Sequence, residues 1–258
     1  MTPRTLVVIP ARMASSRFPG KPLVAIHGLS MIEHVRRRAA LARGVDEVVV
    51  ATCDESIRDE VQRHGGIAVM TADTHERCTD RVEEALRVLT GDVVVIVQGD
   101  EPLLQPEAVE QVFAPLRQDT SIACSNLVSP LAGSSDAENP NIVKAACDVR
   151  GRILFFTRAP LPHYQKAVAC PVYRQTGIMA FRSELLRCYA TLPQTPFERA
   201  EGIDLMRLIE HGIPIQAVTV PYATVGVDRP EDVSAVERLL AADPQQRSLH
   251  RLVTGERP

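Results

Sequence analysis

Between residues 5 and 97, four short Val- and Ile-rich runs alternate with amphipathic stretches of helical length, and few architectures accept that rhythm. A run such as Val93-Val94-Val95-Ile96-Val97 has no polar alternation. It suits a strand covered on both faces, as in a parallel sheet with helical crossovers. The pattern predicts strands at 5–10, 46–51, 67–70 and 92–97 and helices at 30–43, 55–64 and 79–90. Gly65-Gly66 marks the stop between the second helix and the strand that follows it. The expected start is a doubly wound α/β layer.

After about residue 125 the rhythm changes. Gly133-Ser134-Ser135-Asp136 predicts a loop, and 153–156 and 175–181 read as strands without helices of matching length between them, an antiparallel excursion. A helix at 197–210, a strand near 214–220 and a helix from Pro230 to Leu240 return to the parallel theme. Pro230 at the first helical position, followed by Glu231 and Asp232, suits a helix start. From Asp243 onward the polar tail is expected to fray. The expected division is a core at 1–128, an excursion at 129–195 and a return to the core at 196–258.

Composition narrows the function classes. With 258 residues, 45% hydrophobic and 24% charged, the chain is neither disordered nor collagen-like nor a coiled coil. A net charge of −3 offers no global attraction to nucleic acid or anionic lipid. The absence of Trp and an aromatic share of 4% disfavour stacking platforms for single strands. Six cysteines occur without a C-x-x-C pair, which suits reduced thiols in a cytosol. No apolar run approaches the roughly 20 residues of a membrane helix, and no signal-peptide pattern opens the chain. A cytoplasmic protein with no nucleic-acid or membrane partner is expected.

The first strand runs into Pro10-Ala11-Arg12-Met13-Ala14-Ser15-Ser16-Arg17-Phe18-Pro19-Gly20-Lys21-Pro22, and no acid precedes Glu33. Arg4, Arg12, Arg17 and Lys21 therefore lack local neutralisation. Because ligands of open α/β sheets bind at the carboxyl ends of the strands, this loop is placed to meet a polyphosphate. It is neither a Walker loop nor a dinucleotide fingerprint. The bland alternative is a solvated surface loop. The run ending at Val97 continues as Gln98-Gly99-Asp100-Glu101-Pro102, where a carboxylate is placed either to hold Mg²⁺, which prefers oxygen ligands shared with phosphates, or to form a turn. Asp228, in Val225-Gly226-Val227-Asp228-Arg229-Pro230, is a second such candidate, for the metal, for capping the last helix, or for both.

These segments, together with Val8-Ile9-Pro10-Ala11-Arg12, Asn139-Pro140-Asn141-Ile142-Val143-Lys144 and Pro230-Glu231-Asp232, resemble the 3-deoxy-manno-octulosonate (KDO) cytidylyltransferases, or CMP-KDO synthetases, along nearly the whole chain. The resemblance implies a Rossmann-like nucleotidyltransferase fold, α/β, with a mostly parallel doubly wound sheet and an antiparallel excursion for dimerisation and acceptor binding. It also implies a homodimer, CTP and Mg²⁺ as requirements, and transfer of CMP to a small anionic acceptor with release of pyrophosphate. By position, Arg12, Lys21, Asp100 and Asp228 would be catalytic, with Asp100 and Asp228 on the metal. Pro10, Ala11, Ser15, Arg17, Arg77, Thr79, Arg81 and Gln98 would join Arg12 and Lys21 around the nucleotide. Arg158, Gln175, Glu198, Glu201 and Asp204 would face the acceptor.

Departures from the family pattern bear on the acceptor. The usual His-x-Ser-Gly-Thr-Asp/Glu-Arg reads His75-Glu76-Arg77-Cys78-Thr79-Asp80-Arg81 here, so Arg77 either adds a phosphate contact or points to solvent, and Cys78 reads as packing. His75 is either a general base or a hydrogen-bonded loop residue. His-x-Gly-Ile-Tyr becomes Gln175-Thr176-Gly177-Ile178-Met179, and Leu-Glu-Gln-Leu-Arg becomes Ile203-Asp204-Leu205-Met206-Arg207. Loss of a Gln to Leu205 removes hydrogen-bonding groups that a sugar pocket would use. Two acceptors therefore stand open, KDO or a related 3-deoxy-2-ulosonic acid, and a non-sugar acid such as a phosphonate. Arg158 would grip either through its planar fork. Glu198 and Glu201 read equally as an exposed helical face. A third reading is a nucleotide-binding regulator whose catalysis has lapsed. His27, His34 and His64 show no metal-ligand spacing.

Overall fold

Strand β1 (Thr5–Ala11) is buried along its whole length, as its unbroken apolar run predicts. The computed structural model describes residues 3–15, 17–75, 77–131, 133–166, 168–222 and 225–255. It contains two compact units, one of residues 1–110 with 224–258 and one of residues 111–223. In the first, β1 leads to the small hairpin β2 (Ala25–Ile26) and β3 (Leu29–Ser30), then α1 (Met31–Ala39), β4 (Glu47–Thr52), α2 (Glu55–Arg63), β5 (Ile67–Met70), α3 (Cys78–Ala85) and β6 (Val93–Val97). Within this unit β4 and β6 flank β1 in parallel and β5 extends beyond β4, an order β6-β1-β4-β5. The crossovers are helical, so the carboxyl ends of the strands share one edge.

Two helices are shorter than their apolar pattern predicts. The last turn of the α3 stretch tightens to i→i+3 bonds at Leu86, Arg87 and Val88, which ends the regular helix. Helix α1 closes earlier as well, with Glu33 buried under Arg36 at 2.6 Å and Arg37 at 2.8 Å. The two glycines after α2 serve different ends. Gly65 takes a left-handed φ of 71°, a helix stop. A Cβ on Gly66 would stand 2.6 Å from Arg36 Nε and 2.7 Å from Val61 Cγ1, so close packing demands glycine there.

Helix α4 (Pro106–Gln118) leads into the second unit, with β7 (Cys124–Ser129), α5 (Ser134–Glu138), β8 (Lys144–Cys147), β9 (Ile153–Thr157), β10 (Val172–Arg182), α6 (Ser183–Tyr189), α7 (Pro196–Glu201), α8 (Met206–Glu210) and β11 (Gln216–Thr219). Here β11 lies parallel to β7, whereas β7, β10, β8 and β9 pair antiparallel in that order, the excursion expected from sequence. The single helix expected over 197–210 is broken. Gly202, at φ 66°, sends its N–H to Glu198 O at 2.9 Å and ends α7 before α8 begins.

The chain then completes the first unit with α9 (Pro230–Ala242) and α10 (Pro244–Thr254). Helix α9 packs Val236 and Leu240 against Ile26, Met31 and Val227. The tail expected to fray is α10. Asp243 caps it by accepting from the Gln245 and Gln246 N–H groups at 2.8 and 3.0 Å, Pro244 opens it, and Gly255 at φ 74° closes it. Arg37 Nη1 donates to Val253 O at 2.5 Å and Arg38 Nη1 to Gln246 Oε1 at 2.7 Å, tying α10 to α1.

Candidate active site

β1 delivers Pro10, Ala11 and Arg12 to the carboxyl edge of the parallel sheet, where the chain must turn. Met13 N–H is caught by Asp54 Oδ2 at 2.8 Å, just past the end of β4, and Gly20 N–H returns to Met13 O at 3.1 Å. Gly20 has φ 76°, the left-handed conformation that lets the loop double back and aim Lys21 toward the end of β6. Lys21 Nζ there meets Asp100 Oδ2 at 2.8 Å, Val227 O at 2.9 Å and Asp228 Oδ1 at 3.9 Å. Arg17 Nη2 reaches the same Asp228 oxygen at 2.9 Å. Two cations of the loop and two carboxylates from distant segments thus share one place.

Asp228 does not cap α9. Asp232 does so, accepting from the Asp228 and Arg229 N–H groups at 2.8 Å each. The Asp228 carboxylate instead faces Arg17 and Lys21. Among the described residues no group of three His, Cys, Asp or Glu side chains is placed to hold a metal ion. Two convergent carboxylates nevertheless fit a hard cation that completes its shell with substrate phosphate oxygens.

Two adjoining hollows open along this edge. The larger, about 720 Å³, is lined by Arg12, Ser15, Arg17, Lys21, Gly99 and Asp100 among others. The smaller, about 460 Å³, is lined by Arg12, His75, Arg77, Cys78, Arg81 and Gln98 with Pro10 and Ala11, and it shares the end of β1 with the first. Of the nucleotide residues expected from sequence, all but Thr79 line one hollow or the other. Thr79 is fully buried beneath them. Arg81 is only 3% exposed and is anchored by Thr71 Oγ1 at 2.5 Å and Ala72 O at 3.2 Å. Arg77 lines the smaller hollow and does not simply face solvent. Cys78 accepts the Gln98 Nε2 donor at 3.0 Å, so it positions a side chain of the hollow in addition to packing.

His75 Nε2 contacts Glu84 Oε2, and the same carboxylate oxygen accepts the Ala72 N–H at 2.9 Å. Burial opposes ionisation of Glu84, but the bonds from His75 and Ala72 outweigh it and hold its carboxyl below the usual range. Sequence spacing gives no hint of Glu84, which lies on α3 while His75 lies in the preceding loop. Asp54 was legible in principle, since it follows the carboxyl end of β4.

The residues assigned to the acceptor all lie in the second unit. Arg158 donates from Nε to Glu201 O at 2.9 Å and from Nη1 to Pro140 O at 3.1 Å. Glu201 brackets the end of β9 by accepting Thr157 Oγ1 at 2.6 Å and Arg158 N at 2.9 Å, so it is not an idle surface acid. Glu198 departs from both expectations. It is fully buried, with its oxygens on Arg207 Nε and Nη2 at 2.8 and 2.6 Å, and Thr195 N–H adds a bond at 3.2 Å. It therefore presents no exposed face, and every oxygen is already engaged. Asp204 is half-buried, and its carbonyl accepts Tyr189 OH at 3.1 Å. Gln175 is half-buried on β10 opposite Val128. Leu205 is fully buried and Met179 nearly so, which places both in the core. The conspicuous Asn139–Lys144 segment is a staple. Lys144 Nζ donates to Asn139 O, Ile142 O and Arg158 O at 3.0, 2.9 and 2.6 Å, while burial, and then the charge of Arg158, lower its pKa.

A mixed α/β fold with a mostly parallel sheet, a cationic loop and paired carboxylates at the sheet's carboxyl edge is the Rossmann-like architecture of a nucleotidyltransferase. Residues 6–215 match the family model described as cytidylyltransferase, and the chain belongs to that family of enzymes. It is 46% identical over 242 residues to the 3-deoxy-manno-octulosonate cytidylyltransferase of Myxococcus xanthus (strain DK1622), covering 93% of this chain and 97% of that one. To the enzyme of the same name from Escherichia coli it is 38% identical over 240 residues, with coverage of 93% and 97%. A solved structure of CMP:2-keto-3-deoxy-manno-octonic acid synthetase complexed with CTP superposes with a TM-score of 0.88 at 38% identity, covering 92% of this chain and 98% of that one.

Proposed function

We propose that the protein transfers CMP from CTP to KDO or a closely related 3-deoxy-2-ulosonic acid, releasing pyrophosphate, with Mg²⁺ as cofactor. The observation that carries this reading is the meeting of Arg17 and Lys21 with Asp100 and Asp228 beside the hollows at the end of β1. The names of the relatives support the acceptor. Burial of Leu205 and Met179 removes two of the three departures that favoured a phosphonate. The reading also includes a homodimer in the cytoplasm, supported by apolar surface on the second unit at Leu154, Val168 and Phe197.

The reaction exchanges one P–O bond for another. An acceptor hydroxyl attacks the α-phosphorus in line, its proton passes to solvent, and the bond to pyrophosphate breaks. Charge grows on the leaving oxygens, where Arg12, Arg17 and Lys21 stand ready to neutralise it. The loop's exposed backbone, turned by Gly20, admits a triphosphate at close range. Lys21 exchanges its Asp100 contact for phosphate oxygens. Asp100 and Asp228 would hold Mg²⁺, which when bound would supply Lewis-acid stabilisation of the charge on the phosphoryl group. Gln98, oriented by Cys78, lines the smaller hollow for the nucleoside.

Pyrophosphate release is the direct test, with CTP and Mg²⁺ against KDO and a panel of small phosphonates. Turnover with KDO that stops on chelation is the expected result. Silence with KDO and turnover with a phosphonate would establish the other acceptor. CTP binding without release with any acid would point to the lapsed regulator.

A further inference from the structure

A second groove on the first unit, of about 740 Å³, is lined by His27, Leu240, Ala241, Arg247, His250 and Arg251, and shares no residue with the two hollows of the active site. Arg247, His250 and Arg251 fall at i, i+3 and i+4 on one face of α10. Facing them is His27, at the tip of the β2–β3 hairpin, which among the described residues is the one non-glycine with positive φ, 45°. Its Nε2 donates to Glu237 O at 3.3 Å, which fixes the ring beside α9. The His250 ring stacks on His34 at 5.4 Å and lies 5.7 Å from His27. Among the described residues no carboxylate lines the groove.

The layer beneath is also cationic and short of partners. Arg38 is fully buried, its Nη1 bonds go to the neutral oxygens of Leu104 and Gln246 at 3.1 and 2.7 Å, and among the described residues its Nε and Nη2 have no hydrogen-bond partner. His34, equally buried, donates from Nε2 to Ile26 O at 2.8 Å, and its Nδ1 has no hydrogen-bond partner among the described residues. Burial pulls Arg38 down to about 10 and His34 to about 4, the latter helped by the charge of Arg38. A buried guanidinium without a counter-ion is costly, and its field reaches outward through low dielectric. Gln246, which holds it, belongs to the helix that displays Arg247, His250 and Arg251.

We infer that this groove is a second anion site that takes a pyrophosphate-type polyanion, either free or as the tail of a nucleotide. Two guanidinium forks and one imidazole along a turn of α10, with the His27 ring facing them, match several separated oxygens better than a single carboxylate, and Leu240 and Ala241 offer an apolar floor. The imidazoles do not form a metal site among the described residues.

The test follows histidine ring signals in the ¹⁵N-histidine-labelled full-length protein, with His27 and His250 assigned by single substitution. Titration with inorganic pyrophosphate shifts both rings saturably, and the shift persists in Lys21→Ala, where the catalytic hollow is weakened. Arg247→Gln with Arg251→Gln weakens this binding by about tenfold or more while kcat and the KM for CTP stay as in the parent. CTP that binds tighter than pyrophosphate identifies a nucleotide, whereas equal or weaker binding identifies the free polyanion. Rings that do not move at saturating pyrophosphate, or an affinity unchanged in the double variant, overturn the site. Loss of CTP turnover in the folded double variant overturns its separateness.

Discussion

The Lys21 ammonium sits 2.8 Å from Asp100 Oδ2, so one side chain of the cationic loop neutralises the carboxylate at the end of β6. With Asp228 3.9 Å from the same nitrogen, the two acids are close neighbours that a cation between them stabilises. In the proposed reaction Lys21 turns to phosphate, and Asp100 and Asp228 would hold Mg²⁺.

Asp100→Asn keeps the shape of the side chain and removes the charge that would draw the metal. Pyrophosphate release should fall by about 100-fold or more, with an unchanged melting curve. Near-parental turnover in the folded variant would take Asp100 out of its assigned role.

Arg207→Met leaves Glu198 in the core without its counter-ion. The cost should be about 3–5 kcal/mol, read as a melting point lowered by roughly 6 °C or more. Adding Glu198→Met should restore most of the loss, because an apolar pair of similar volume replaces two desolvated charges. A double variant that melts like the parent but has a raised acceptor KM would return Glu198 to the acceptor site.

Stability should depend on pH through His34. Its folded pKa, about 4, lies below the ordinary 6.5 because burial, with Arg38, His250 and His27 nearby, disfavours the charged ring against the pull of the Ile26 carbonyl. Between those values the unfolded chain binds the extra proton, so stability rises with pH across the window, is complete above 6.5 and is lost as pH falls toward 4. The whole effect is on the order of 3 kcal/mol. His34→Gln keeps a donor for Ile26 O and should flatten that part of a denaturation-versus-pH series. An equal slope in both proteins would assign the acid loss to other groups.

Leu205→Gln should act on stability and not on choice of acceptor. An amide placed at this fully buried position lacks partners and costs about 1–3 kcal/mol. The ratio of kcat/KM for KDO to that for a phosphonate should hold. A shifted ratio at normal stability would place Leu205 in the acceptor pocket after all.

The parallel sheet was legible because Leu6–Ile9 and Val93–Val97 are apolar on both faces. β7 was not, since Ser125 and Asn126 look like loop residues until their bonds to Val112 O and to the Thr176 and Ile178 carbonyls are seen. Gly202 and the Asp243-Pro244 step carried readable boundary signals that helical periodicity and tail polarity overshadowed. At the site, the strand-edge rule pointed to the Pro10–Lys21 loop and Asp100. The bonds of Glu84 to His75, Cys78 to Gln98 and Arg207 to Glu198 depend on which side chains the folded backbone brings together, and no periodicity encodes them.

The first unit is built from both ends of the chain: Val227 N–H closes on Asp100 O, Gln246 on Arg38 and Val253 on Arg37. A polypeptide still emerging from the ribosome owns the Pro10–Lys21 loop and Asp100 well before Asp228 exists. On the roles proposed for these residues, competence is conferred in one late step. A product cut short in its last stretch would keep the cationic loop but lack the second acid, and so would not become a partly working transferase.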